Sequence, residues 1–190
     1  MTALFSPELQ IEQIKNHFQL ENFIETGCYQ GDGLNFARDI GFQHLYSCDI
    51  NKEYVDLCLK RINSATIRHQ TSTEFLKDIL PTINGTSLFW LDAHYPTYYG
   101  LEDENELTKF PLLEEVQLVI DLKKNYHRDV FVLDDLRVML PENNPFYNPG
   151  IGSQFMVNRS IDDFVQLLGP THDYYFVYVD TGNIIFVPKN

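Results

Sequence analysis

The stretch NFIETGCYQGDG, residues 22–33, decides the fold of the chain. Asn22 to Thr26 reads as a short buried strand, apolar or β-branched at Phe23, Ile24 and Thr26. Three glycines follow, Gly27, Gly31 and Gly33, and then a helical stretch, LNFARDI. Strand, glycine-rich turn and helix form the opening unit of a nucleotide-binding α/β sheet. The glycines let the backbone turn tightly and come close to a ligand, and the helix N-terminus offers free N–H groups. The carboxylates select among ligands. Glu25 ends the strand and Asp32 stands just before the helix, where its first reading is the helix N-cap. A pyrophosphate would be repelled by both acids. S-adenosylmethionine (SAM) carries a sulfonium and an ammonium that suit Glu25, while its one carboxylate can still use the loop N–H groups.

The pattern repeats on either side of this unit. Residues 6–20 read as an N-terminal helix, with Ser6 as N-cap, Pro7 at the first helical position and an apolar face of Leu9, Ile11, Ile14 and Phe18. Downstream, the helix after the glycine loop runs over 33–40 and ends near Gly41. HLYSCDI, 44–50, is a second buried strand ending in Asp49. Asp49 has two readings: the acid that meets a ribose hydroxyl in such units, which the glycine loop favours, or the cap of the helix over 51–62. ATIRHQ, 65–70, is a third strand. Thr71 or Ser72 caps the next helix, and Ser72 is also a candidate adenine contact. TSLFWLDAHYP, 86–96, is a fourth strand, continuously apolar from Leu88 to Leu91 and ending at Asp92, Ala93 and His94. PLLEEVQLVIDLKKNY, 111–126, is a helix with Lys123 and Lys124 at its dipole-favoured end. DVFVLDDLRVML, 129–140, reads as a fifth strand carrying Asp134, Asp135 and Arg137. Its continuation, Leu-Arg-Val-Met-Leu-Pro, does not look like a helix start. Ser160 and Asp163 open a helix over 161–169. Two aromatic runs around Asp180-Thr181-Gly182-Asn183 then close the chain as a hairpin. Residues 95–109 and 141–158 are long polar connections and candidate lid loops.

Composition excludes several function classes. With 27 Asp and Glu against 14 Lys and Arg, the formal net charge is −13. That argues against a nucleic acid or an anionic membrane surface as partner, since both need clustered cations. The three cysteines, Cys28, Cys48 and Cys58, are odd in number, lie in apolar patterns and read as reduced thiols, not a disulfide framework or a zinc site, which points to the cytoplasm. No apolar run is long enough to span a bilayer. Five strands alternating with helices, followed by a hairpin, imply one doubly wound, mostly parallel α/β sheet. Its ligands bind outside the carboxyl ends of the strands, where Glu25, Asp49, Asp92 and the pair Asp134–Asp135 all fall.

Taken in order, ETGCYQGDG, the acid of YSCDI, FWLDAHY, PLLEEV and VFVLDDLR resemble class I SAM-dependent methyltransferases over roughly residues 20–188. Within that superfamily the chain is similar to small bacterial and viral methyltransferase-like proteins with ETG…GD, WLDAH and DD-x-R stretches. The loop departs from the denser G-x-G-x-G pattern, because Cys28-Tyr29-Gln30 separate Gly27 from Gly31. That spacing is closer to metal-dependent O-methyltransferases of the macrocin type. The resemblance implies a single Rossmann-like domain over 1–190, strand order 3-2-1-4-5-7-6 with an antiparallel C-terminal hairpin, and O-methylation of a small-molecule or carbohydrate hydroxyl. It implies SAM held by Glu25, Thr26, Gly27, Gly31, Asp49, Ser72 and Asp92. It further implies a magnesium ion among Asp92, Asp134 and Asp135, with His94 and Asp92 at the reacting centre and His94 as the base. Three carboxylates around one point repel one another unless a hard cation neutralises them. Other readings remain beside these: Asp92 on the SAM amino group, His94 as a structural residue, and Asp135 paired with Arg137. For the whole chain, a non-catalytic domain of the same fold is the alternative. A nicotinamide-dependent dehydrogenase is weaker, because Glu25 and the hairpin count against it. A second copy of the chain is a candidate partner.

Overall fold

The computed structural model describes residues 10–94, 110–147 and 160–189. Seven strands form one sheet: β1 Asn22–Thr26, β2 His44–Asp49, β3 Ala65–His69, β4 Ser87–Leu91, β5 Val130–Leu133, β6 His172–Val177 and β7 Asn183–Pro188. Their order is β3-β2-β1-β4-β5-β7-β6, with β1 to β5 parallel and β7 antiparallel to both β5 and β6. The helices are α1 Ile11–Phe18, α2 Asp32–Asp39, α3 Lys52–Arg61, α4 Ser72–Ile79, α5 Leu112–Leu122, the short α6 Leu136–Met139 and α7 Ile161–Leu168. The expected doubly wound architecture, including its strand order and C-terminal hairpin, is the one found.

Period-two alternation explains why the central strands are apolar throughout. Leu88, Trp90, Val130 and Val132 face a core shared with Ile11, Leu34, Ala37 and Val55 of α1, α2 and α3. Phe89, Leu91, Phe131 and Leu133 face the opposite core, with Phe75, Val116 and Phe164 of α4, α5 and α7. A sheet covered on both sides has nowhere to seat a ligand except beyond its strand ends.

Register then sets the site. Thr26 pairs with Cys48 on β2 and with Leu91 on β4, and Leu91 pairs with Leu133 on β5. The next residue along each of these four strands is Asp49, Gly27, Asp92 or Asp134, so these four form one row across the carboxyl edge. Gly27 adopts φ 83°, and an added Cβ there would stand 3.0 Å from the Asp92 carbonyl oxygen. This is where the β1 loop approaches the end of β4.

Several local expectations are corrected. The fifth strand ends at Leu133 instead of running to residue 140. Asp135 takes a left-handed conformation, φ 58°, which turns the chain into α6. The Leu136 and Arg137 N–H groups are then satisfied by the Gly182 and Thr181 carbonyls of the hairpin turn. Gly31, not Asp32, is the N-cap of α2; Asp32 is its first residue and pairs with Arg61 at 3.0 Å. Asn51, not Asp49, caps α3 by accepting from the Glu53 N–H. Thr71 caps α4 and forms a reciprocal capping box with Glu74. Lys123 does close the helix, as its C-cap, but not at the surface. It is buried, with its ammonium 2.7 Å from Asp129 and donating to the Gly85 carbonyl. Ser6, Pro7 and Leu9 lie outside the described residues, as do the whole of the 95–109 loop and the 141–158 loop beyond residue 147.

Candidate active site

The row of strand ends opens onto a cluster of acids around one histidine. Asp92 and Asp134 extend from β4 and β5, and His94 follows Asp92 by two residues. The Asp92 and Asp134 oxygens and a His94 ring nitrogen all lie within 4.8 Å of one another. Asp134 is held from beneath: its Oδ1 accepts from the Thr181 hydroxyl at 2.9 Å and from the Asn183 amide at 2.8 Å. The hairpin therefore aims this carboxylate. Burial, then the neighbouring charges of Asp134 and Asp135, push the Asp92 carboxyl well above the ordinary range. Asp134 is raised by burial and by Asp135. Asp92 and Asp134 stand side by side, and each raises the other's cost of carrying charge: two close carboxylates repel unless one holds a proton or a cation neutralises them.

Asp135 does something different. Its Oδ2 stands 2.7 Å from His94 Nε2 and its Oδ1 accepts from Arg137 Nε at 2.9 Å. Both oxygens are thus engaged, and the pairing of Asp135 with Arg137 is present as read from the sequence. Burial opposes charge on both partners of the His94–Asp135 contact. The hydrogen bond between them prevails, lowering Asp135 and raising His94. His94 Nε2 is 3.5 Å from Asp92, so the ring faces both acids. The three-residue group that converges is Asp92, His94 and Asp134, with Asp135 behind the histidine.

On the other side of the row, Glu25 is 4% exposed and accepts from the Ser47 hydroxyl at 2.9 Å, its register partner on β2. Burial raises its pKa to about 8, partly offset by that hydrogen bond. Asp49 accepts from the Tyr29 N–H at 3.0 Å and from the Asn51 N–H at 2.8 Å, so it ties the glycine loop to the end of β2. Thr26 accepts from the Asp92 N–H at 3.2 Å, tying β1 to β4.

Sequence reasoning passed over Glu115. It lies in the first turn of α5, is wholly buried, and neither of its carboxylate oxygens has a hydrogen-bond partner among the described residues. Burial raises its pKa to about 7. The hydroxyls of Ser72 and Thr26 stand beside it and favour its charged form without closing hydrogen bonds of normal geometry. Ser72 is thus buried at the start of α4, close to this acid. The signal lay in the second Glu of PLLEEV, which falls on the apolar face shared by Leu112, Val116 and Val119.

No family model matches the chain, and no curated protein sequence matches it. The fold does have relatives among solved structures. A candidate caffeoyl-CoA O-methyltransferase from Staphylococcus aureus superposes with a TM-score of 0.67 at 14% identity, covering 96% of this chain and 83% of that one. An O-methyltransferase from Bacillus cereus in complex with SAH gives 0.59 at 12%, covering 96% and 80%. A SAH-bound methyltransferase from Podospora anserina gives 0.56 at 14%, covering 97% and 78%. The chain therefore shares the fold of these solved methyltransferases. At these identities the likeness concerns the fold.

Proposed function

We propose that this protein is a SAM-dependent methyltransferase that methylates a hydroxyl oxygen of a small molecule or sugar with the help of a divalent cation. The observation that carries this reading is the convergence of Asp92, His94 and Asp134 beside the glycine loop and Asp49, at the carboxyl edge of a sheet of order 3-2-1-4-5-7-6. Glu25, Gly27, Gly31 and Asp49 surround the place for a ligand with two positive groups. Asp49 meets the ribose, and Ser72 flanks the adenine end.

Asp92 and Asp134 would hold the cation. Octahedral ligands around Mg²⁺ sit roughly 3–4 Å apart, so separations of up to 4.8 Å need a closing of about an ångström. When bound, such a cation lowers the pKa of a coordinated hydroxyl. An imidazole at the same point widens the choice of metal beyond magnesium. The short contact of His94 with Asp135 favours a proton acceptor over a third ligand: Asp135 orients the ring and stabilises the imidazolium that forms. Because His94 is raised above the ordinary imidazole range, its base form grows, and turnover rises, as pH climbs above that range. The test is SAH production from a panel of hydroxylated acceptors with Mg²⁺, Mn²⁺ or chelator. Asp134→Asn keeps an oxygen for Thr181 and Asn183, and it is expected to abolish turnover with SAM affinity within about twofold. Metal-independent turnover that survives Asp134→Asn would refute the cation role.

A further inference from the structure

Two of the three cysteines meet beneath the glycine loop. Cys28 belongs to the loop and Cys58 to α3, thirty residues apart in the chain. Both sulfurs converge on one backbone oxygen: the Tyr29 carbonyl is 3.3 Å from Cys58 Sγ and 4.0 Å from Cys28 Sγ. Cys58 Sγ also lies 3.9 Å from the Cys28 carbonyl oxygen. Cys28 is 3% exposed and Cys58 is fully buried. Cys48 belongs to the core on the opposite face of the sheet, so the sheet separates it from this pair.

We propose that Cys28 and Cys58 form a reversible disulfide that pulls the glycine loop out of its ligand-binding shape. The cost of this for the cofactor rests on the function proposed above. The sulfurs must close to about 2 Å, and the loop is the side that yields. Cys58 sits inside a hydrogen-bonded helix, whereas Gly27, Tyr29 and Gly31 all hold positive φ in a loop outside the strand ladder. There is little slack: a Cβ on Gly31 would stand 2.9 Å from Cys58 Sγ, and Gly31 caps α2. A shifted loop also withdraws the Tyr29 N–H from Asp49.

The oxidant is a peroxide. The Cys58 thiolate attacks one peroxide oxygen, the O–O bond breaks, and hydroxide leaves with the thiol's proton as water. The Cys28 sulfur then attacks the Cys58 sulfenic acid, the S–S bond forms, the S–O bond breaks, and a second water leaves. Two thiols lose two electrons and one peroxide gains them. The neighbouring Cys28 side chain holds Cys58 below the ordinary thiol range against its desolvation, and Arg61 assists, which favours the attacking thiolate. A dithiol reductant reverses the step.

The experiment treats the full chain with hydrogen peroxide and reads intact mass, non-reducing peptide maps and amide exchange at residues 27–31. The expected result is the loss of two hydrogens, a Cys28–Cys58 linked peptide, Cys48 still open to alkylation after unfolding, and faster exchange in the loop. SAM affinity is expected to fall about tenfold or more and to return with dithiothreitol, and Cys58→Ser should show none of these changes. A link through Cys48, oxidation that stops at sulfinic acid, three free thiols after treatment, or a linked protein with unchanged loop exchange would overturn the proposal. If the reduced protein binds no SAM, the function proposed above fails, while mass and exchange still judge the disulfide.

Discussion

Replacing Glu115 with Gln removes a buried charge while keeping the size and polarity of the side chain. In the fold the carboxyl titrates at about 7, against an ordinary 4.5, because burial penalises its charged form. A raised carboxylate pKa means the folded state holds its proton longer than the unfolded chain. The penalty is therefore absent below about pH 4.5, grows as pH rises, and is complete above about pH 7. A shift of this size amounts to about 3 kcal/mol, of which about 2–3 kcal/mol accrues between pH 5 and pH 8. Glu115→Gln should escape it. Urea denaturation should show the variant gaining that much over wild type between the two pH values, a midpoint difference of about 1 M. The Thr26 and Ser72 hydroxyls stand beside either side chain alike, and at low pH both are neutral, so the comparison there should be nearly even. A stability difference that does not change with pH would refute the reasoning. So would a variant that loses ground at high pH, because that would mean the ionised carboxylate is a stabilising partner.

Lys123 and Asp129 are buried together, and burial raises Asp129 to about 6 even with the ammonium beside it. Lys123→Ala should cost about 3–5 kcal/mol in chemical denaturation, while Lys123→Met combined with Asp129→Leu should cost less than the single change. A double variant worse than the single one would contradict this. Asp49→Ala should weaken SAM binding by about 1.5–3 kcal/mol in calorimetry, the worth of a hydrogen bond to a charged acceptor. Unchanged affinity would remove Asp49 from the ribose.

Much of this fold could be read from periodicity. The unbroken apolar runs at Leu88–Leu91 and Val130–Leu133 required a sheet covered on both faces, and each run ended in the acid that the register later aligned. The chain past Leu133 was not legible, because Asp135 adopts a left-handed conformation that only Gly takes freely and Asn or Asp take occasionally. Without that turn α6 could not be foreseen, nor could the split between Asp134, held by the hairpin, and Asp135, held by His94 and Arg137. Glu115 and Lys123 were missed for one shared reason. Charged residues in or at the end of an amphipathic helix read as solvated, and only packing reveals that both are buried.

Titration calorimetry of the reduced wild-type protein with SAM, and separately with NAD, tests the cofactor assignment directly. SAM should bind in a one-to-one complex that weakens on Asp49→Ala, and NAD should give no heat. No heat with SAM, together with tight binding of NAD, would contradict the reading of Glu25, the glycine loop and Asp49 on which the proposed chemistry stands.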